Sequence, residues 1–255
     1  MQYEILVLDL DGTLTNNKKE ITRHTKEVLR AYQEAGGTVV LASGRPTYGV
    51  APLAEELELE KYHGYMLSFN GALITDCRSG ERIFQKWLPE GVPQQMADLA
   101  QKYGTALLTY QGDEILTETP DNQYVRKEVI CTKMKVRKLS DFRREVTFPV
   151  VKCMLMDNGV YLAKVEEKVK VYFHGELSVL RSEPYFLEVM PKGIDKAQSL
   201  ERLLELLGKD RSRMMAFGDG FNDRSMLEFA GLGVAMQNGQ PAIKAVADLI
   251  APSNE

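Results

Sequence analysis

Three short apolar runs break off abruptly into polar residues. Glu4–Leu8 leads into Asp9-Leu10-Asp11-Gly12-Thr13, Thr38–Ala42 into Ser43-Gly44-Arg45-Pro46, and Met214–Phe217 into Gly218-Asp219-Gly220-Phe221-Asn222-Asp223. A strand that is apolar at consecutive positions has no solvated face, the pattern of a parallel sheet covered by helices on both sides. Open sheets of that kind bind ligands in the crevice at the carboxyl ends of their strands. The polar clusters therefore fall where such a fold does its chemistry.

Helix signals alternate with these runs. Thr22 can N-cap a helix whose positions Val28, Leu29, Tyr32 and Ala35 share a face, and Gly36-Gly37 stops it. Asp195 with Gln198 makes a capping-box pattern ahead of Leu200, Leu203, Leu204 and Leu207, and Gly208 follows. A further helix is expected through Met226 and Ala230, then a strand at Gly233–Met236. The middle of the chain departs from this logic. A strand at Tyr65–Phe69 gives way to Asn70-Gly71-Ala72 and a hairpin through Ile74 and Ile83. Fresh helix patterns (Pro93–Tyr103, Asn158–Val171) and strand patterns (Thr105–Tyr110, Val150–Met156) then precede Pro184 and Pro191. The expected organisation is α/β: a parallel-sheet core at 1–83 and 187–255, interrupted by an inserted domain at 84–186.

The length of 255 residues suits one or two domains at about 150 residues each. A net charge of −4 gives no bulk attraction to polyanions, and short basic clusters such as Lys133–Lys138 read as solvated faces, so no nucleic-acid partner is expected. Cys77, Cys131 and Cys153 are odd in number and widely spaced, which fits reduced thiols rather than a disulfide or zinc framework. No apolar run approaches the roughly 18 residues of a membrane span, and the opening residues have no leader pattern. A cytoplasmic protein without a membrane partner is expected, as a monomer or weak homo-oligomer.

With the strand ends side by side, Asp9, Asp11, Asp219 and Asp223 would crowd one crevice. Like charges so close need a cation or protons to neutralise them. Oxygen-only ligands select a hard cation, and incomplete protein coordination with room for phosphate oxygens favours magnesium. Phosphoryl transfer then needs positioning and positive or N–H groups around three equatorial oxygens. Ser43 offers a hydroxyl, Gly44 an open backbone N–H, and Lys196 a cation at a helix start, where the helix dipole also favours phosphate. One carboxylate can accept the phosphoryl group covalently, and one two residues on can exchange protons.

Each signal has a plainer reading. Asp-Gly after an apolar strand is often a turn. Asp9-Leu10-Asp11-Gly12 could open a calcium loop with Glu20 at its twelfth position, but Leu14 stands where that loop needs glycine. Lys196 alone could be a surface lysine, Asn222-Asp223 a helix cap, and Ser43-Gly44-Arg45 a turn. Their joint occurrence, in order, at strand ends outweighs these.

The same residues resemble the haloacid dehalogenase (HAD) superfamily of phosphatases, in its Cof-like sugar-phosphatase branch. The motifs are Asp9-Leu10-Asp11-Gly12-Thr13-Leu14, Ala42-Ser43-Gly44-Arg45, Lys196 within Gly193-Ile194-Asp195-Lys196, and Gly218-Asp219-Gly220-Phe221-Asn222-Asp223, with Asn70-Gly71-Ala72 typical of the branch. The resemblance implies a Rossmann-like core with an inserted α/β cap that closes over the substrate. It implies Asp9 as nucleophile, forming an aspartyl-phosphate, and Asp11 as general acid and base. Magnesium would be held by Asp9, the Asp11 carbonyl and Asp219, with Asp223 as a ligand or supporting partner. Phosphate would contact the Leu10 backbone, Ser43, Gly44, Lys196 and Asn222, while Arg45 and Asn70 would line the entrance. The resemblance departs after the segment Ala247–Pro252, where relatives in this branch carry a further helix.

The expected partner is a small phosphorylated metabolite and the expected cofactor Mg²⁺. A phosphomutase of the same superfamily and a phosphosugar-binding regulator without turnover are the competing readings. Hexose phosphates, pentose phosphates, flavin mononucleotide and pyridoxal phosphate all remain open as substrates.

Overall fold

Successive strand residues point to opposite faces of a sheet, and here both faces are buried. In the computed structural model, which describes residues 1–255, Ile5, Val7, Val40 and Ala42 join one apolar cluster. Their neighbours Leu8, Val39 and Leu41 join another. Continuous apolar strands thus become the middle layer between two helical layers. The chain separates into two compact units, Met1–Gln85 with Asp195–Glu255, and Lys86–Ile194.

The first unit opens with β1 (Ile5–Leu8), α1 (Arg23–Glu34), β2 (Thr38–Ala42), α2 (Thr47–Glu56) and β3 (Tyr65–Ser68). A 3₁₀ turn at Phe69–Gly71 then leads to the hairpin β4 (Leu73–Asp76) and β5 (Arg82–Gln85). Thr22 caps α1, its side chain accepting from the backbone N–H of Thr25. The apolar face expected for α1 is corrected in part. Leu29 and Gln33 are its buried residues, while Val28 is 52% exposed. Gln33 earns its burial by donating Nε2–H to the Leu57 carbonyl at 3.0 Å.

The inserted unit contains α3 (Val92–Tyr103), β6 (Ala106–Gln111), β7 (Glu114–Thr117), α4 (Gln123–Thr132), β8 (Lys135–Lys138) and α5 (Phe142–Glu145). It continues with β9 (Cys153–Met156), α6 (Gly159–Tyr172), β10 (Leu177–Glu183) and β11 (Phe186–Pro191). Its sheet runs β10-β11-β9-β6-β7-β8, antiparallel except for the β7–β8 pair. Met96 and Leu99 of α3, Phe142 of α5, and Leu162, Val165 and Val169 of α6 pack on one face with Leu107, Cys153, Leu155, Leu187 and Val189. On this sheet Lys152 and Glu188 form a buried ion pair at 2.9 Å. The unit ends later than expected. The expected boundary at 186/187 cuts through β11, which hydrogen-bonds to β10 and β9, so residues 187–194 belong to the insert. Pro184 lies at the β10–β11 turn and Pro191 closes β11; neither marks a return to the first unit.

The chain re-enters the first unit with α7 (Lys196–Leu207), β12 (Met214–Gly218), a 3₁₀ turn at Phe221–Asp223 and α8 (Arg224–Phe229). β13 (Leu232–Met236), α9 (Pro241–Lys244) and β14 (Leu249–Ala251) complete it. The sheet order is β14-β13-β12-β1-β2-β3-β4-β5, with β14 to β3 parallel and the β4–β5 edge antiparallel. Leu200, Leu203 and Leu204 seat α7 on one face of the sheet beside Met226 and Leu227 of α8. Leu29 of α1 and Val50, Leu53 and Ala54 of α2 cover the other. All three cysteines are free thiols. No helix is long and apolar enough to cross a membrane.

Candidate active site

Parallel register brings the strand ends into line. Leu8 pairs with Leu41 of β2 and with Phe217 of β12, so the residues that follow on three adjacent strands emerge at one edge. Asp9 follows β1, Ser43 follows β2 and Asp219 follows β12. The Asp9 N–H still donates to the Phe217 carbonyl at 3.1 Å. The chain then turns sharply, with the Leu10 carbonyl accepting from the N–H groups of Thr13 and Thr15. Gly12 permits the turn: its φ is +88°, and a Cβ there would lie 2.3 Å from Asp219 Oδ2.

Carboxylate oxygens of Asp9, Asp219 and Asp223 all lie within 4.8 Å of one another. Lys196, wholly buried, donates to Asp9 Oδ1 at 2.6 Å and to Asp223 Oδ1 at 2.5 Å. It is the first residue of α7, whose N-cap Asp195 accepts from the Gln198 N–H at 3.0 Å. The reciprocal part of the expected capping box is replaced by a bond between side chains, Gln198 Nε2 to Asp195 Oδ2. Asp223 Oδ2 accepts from the N–H groups of Asp219 and Gly220, both at 2.9 Å. That carboxylate holds the turn after β12 closed.

The electrostatics follow from crowding. Burial first, and then repulsion from Asp223, push the Asp9 carboxyl well above the ordinary range, against the attraction of Lys196. The same two causes raise Asp219 to about 6, although Thr13 Oγ1 donates to its Oδ1 at 3.0 Å. For Lys196, burial works against the charge, but Asp223 and Asp9 outweigh it and its pKa rises. An oxygen-only cluster with excess negative charge, buried and closely spaced, suits a hard divalent cation.

Asp11 behaves differently. Its carboxylate accepts from Arg45 Nε at 2.7 Å, from Arg45 Nη2 at 2.6 Å and from Lys19 Nζ at 2.6 Å. Burial opposes its charge, yet Arg45 and then Lys19 prevail and hold the carboxyl below its ordinary value. Arg45 was expected at an entrance. Instead its side chain is 9% exposed and is committed to Asp11 and the Gly49 carbonyl. Asn70, also expected at an entrance, is buried in a left-handed conformation (φ 56°) and accepts from Asn222 Nδ2 at 3.1 Å. Its N–H donates to the Ser43 carbonyl, and a Cβ on Gly44 would approach its side-chain oxygen to 3.2 Å. Ser43, Gly44, Asn70 and Asn222 thus form one polar rim. Leu10, by contrast, buries its side chain completely and offers only its backbone. The sequence assigns no role to Thr13 or Lys19: Thr13 falls inside the first acidic motif, and nothing in the sequence distinguishes Lys19 from the adjacent Lys18.

This fold and site place the chain among known enzymes. The family model for haloacid dehalogenase-like hydrolases matches residues 6–255. A solved haloacid dehalogenase-like hydrolase from Bacteroides thetaiotaomicron superposes with TM-score 0.95 at 46% identity, covering 99% of this chain and 95% of that one. The solved structure of a HAD subclass IIB sugar phosphatase superposes at 0.84 with 25% identity, covering 98% of this chain and 94% of that one. A 5-amino-6-(5-phospho-D-ribitylamino)uracil phosphatase of Bacillus subtilis is 30% identical over 255 residues, spanning 100% of this chain and 92% of its own length. The chain belongs to the haloacid dehalogenase-like hydrolases. Within that family it is a phosphatase.

Proposed function

We propose that the chain is a magnesium-dependent phosphomonoester hydrolase of the sugar-phosphate type, working through an aspartyl-phosphate on Asp9. The observation that carries this reading is the cluster of buried Asp9 and Asp223 with half-buried Asp219, carboxylate oxygens within 4.8 Å of one another, Lys196 joining Asp9 and Asp223. Asp9, Asp219 and the Asp11 carbonyl, supported by Asp223, would hold the cation. When bound, magnesium neutralises the carboxylates and the charge on the transferring phosphoryl oxygens.

The chain's own groups supply the remaining chemistry. A carboxylate oxygen of Asp9 attacks phosphorus as the ester P–O bond breaks, and Asp11 gives a proton to the departing oxygen once bound substrate has displaced the Arg45 and Lys19 cations that hold its carboxyl ionised. Water then attacks phosphorus, Asp11 takes its proton, and cleavage of the acyl-phosphate P–O bond returns the Asp9 carboxylate and inorganic phosphate. Lys196, the Ser43 hydroxyl, the Leu10 and Gly44 backbone N–H groups and Asn222 orient the phosphoryl oxygens. Lys196 also screens the Asp9 carboxylate from Asp223.

A sugar or polyol phosphate is favoured by the relatives, one a sugar phosphatase and one acting on a phosphoribityl compound. We assign the choice among such substrates to the inserted unit, and we place the protein in the cytoplasm on its three free thiols. The test is a panel of phosphorylated metabolites assayed for inorganic phosphate, with magnesium and with chelator. Metal-dependent release without a bisphosphate activator is expected. Phosphate migration within the substrate instead of release would make the chain a mutase, and binding without turnover would make it a regulator.

A further inference from the structure

Between β13 and α9 the chain makes a tight turn that touches both acidic segments of the site. The Met236 carbonyl accepts from the Gly239 N–H at 2.9 Å and closes the turn. The Gln240 N–H donates to the Asp219 carbonyl at 3.0 Å, and a Cβ on Gly239 would stand 3.1 Å from Asp219 Cα, so the turn lies directly against that residue. From the same turn, Asn238 Nδ2 donates to the Gly12 carbonyl at 2.7 Å. Gly12 stands in the chain between the Asp11 carbonyl and the Thr13 hydroxyl, and Thr13 Oγ1 donates to Asp219 Oδ1 at 3.0 Å.

The Asn238 amide is held at both ends. Its Oδ1 accepts from the Asn254 N–H at 3.2 Å, while Asn254 Nδ2 donates to the Thr15 carbonyl at 2.8 Å and Glu255 Oε1 accepts from the Asn17 N–H at 3.0 Å. A carbonyl can only accept and a backbone N–H can only donate, so these two partners admit one orientation of the amide. Asn238 is nonetheless exposed. Water competes for a hydrogen bond made there, so the bond adds little to the stability of the fold. What it fixes is geometry: the Gly12 turn is kept packed on the Asp219 carboxylate, where a Cβ at Gly12 would lie 2.3 Å from Oδ2.

We propose that Asn238, backed by Asn254, is a positioning residue for the cation site: it holds Gly12, and with it the Asp11 carbonyl and the Thr13 hydroxyl, in register with Asp219. This rests on the phosphatase reading above, in which the Asp11 carbonyl and Asp219 hold magnesium. Groups that orient metal ligands without touching the metal typically tune its affinity by about 10–100-fold. Asn238 acts one residue removed from a ligand, which sets the expectation at the lower end of that range.

The experiment titrates the full chain with magnesium chloride alone by calorimetry, and measures thermal melts of the same proteins in chelator. Asn238→Ala should weaken magnesium binding about tenfold while the metal-free melting temperature stays at the wild-type value. The magnesium concentration giving half-maximal phosphate release from an aryl phosphate should rise by the same factor. Asn238→Gln, which keeps the amide on a longer arm, should recover part of the affinity. Asn254→Ala, which leaves the bond to Gly12 but removes the Asn254 amide from Thr15, should lose affinity in the same direction and to a smaller extent. Unchanged magnesium affinity in Asn238→Ala would overturn the proposal and leave the phosphatase reading intact. So would a loss matched by a fall in the metal-free melting temperature, which would make the residue structural only. A wild-type chain that binds no magnesium would instead sink that reading, and this proposal with it.

Discussion

Desolvation, and then the neighbouring Asp223 charge, push the carboxyl of half-buried Asp219 up to about 6 from an ordinary 3.8. A raised carboxyl holds its proton more tightly folded than unfolded. Its contribution to stability is therefore complete below the unfolded value and is lost as pH rises through the folded one. Asp9 is displaced in the same direction. Above that window the metal-free site carries repulsion that a cation relieves. Magnesium should therefore raise the melting temperature more at about pH 8 than at about pH 5, and Asp219→Asn should abolish most of the difference. Equal magnesium shifts at both pH values would contradict this. At this scale the sequence was informative wherever a carboxylate followed an apolar strand. It placed Arg45 at an entrance, although its long side chain reaches Asp11 equally well, and it was silent on Lys19, whose position depends on the Asn16 turn.

Among the elements, α7 carries the most consequence for the site, since Lys196 is its first residue and Leu200, Leu203 and Leu204 fix its docking. Asp195→Ala removes the cap on the Gln198 N–H and should cost about 1 kcal/mol in denaturant unfolding. It should also lower turnover through the loosened Lys196, without changing the order of substrate preference. A loss of stability with turnover fully retained would separate α7 capping from the site. β1 and β2 of the first unit were legible because burial on both faces leaves no polar position, whereas the exposed edge strand β14 gave no such signal. β8 (Lys135–Lys138) and β10 (Leu177–Glu183) were not, since both are edge strands with mostly exposed or half-buried residues and no clean apolar period. The α1 face was misassigned at Val28 because a hydrogen-bonded glutamine, Gln33, takes a core position that an apolar pattern cannot reveal.

Over the whole molecule, each unit carries its own apolar packing, two clusters flanking the first unit's sheet and one on the inserted sheet. Lys152 and Glu188 lie in the inserted unit, 2% and 3% exposed. Breaking such a buried pair typically costs about 3–5 kcal/mol, because one charge is left behind. Glu188→Gln should destabilise the inserted unit on that scale in urea, yet leave magnesium affinity unchanged, since every proposed ligand belongs to the first unit. A matched loss of metal affinity would refute that separation. The late boundary at 194/195 has a related cause. Pro184 and Pro191 look like linker residues in sequence, but pairing along β11 absorbs the segment between them into the inserted sheet. The account as a whole turns on the fate of the phosphoryl group, and acid-quenched single turnover with a radiolabelled phosphomonoester reads that directly. Borohydride reduction and peptide mapping should place the acyl-phosphate on Asp9, and Asp9→Asn should show neither label nor turnover. Turnover in the wild type with no label, or with label on another residue, would contradict the mechanism.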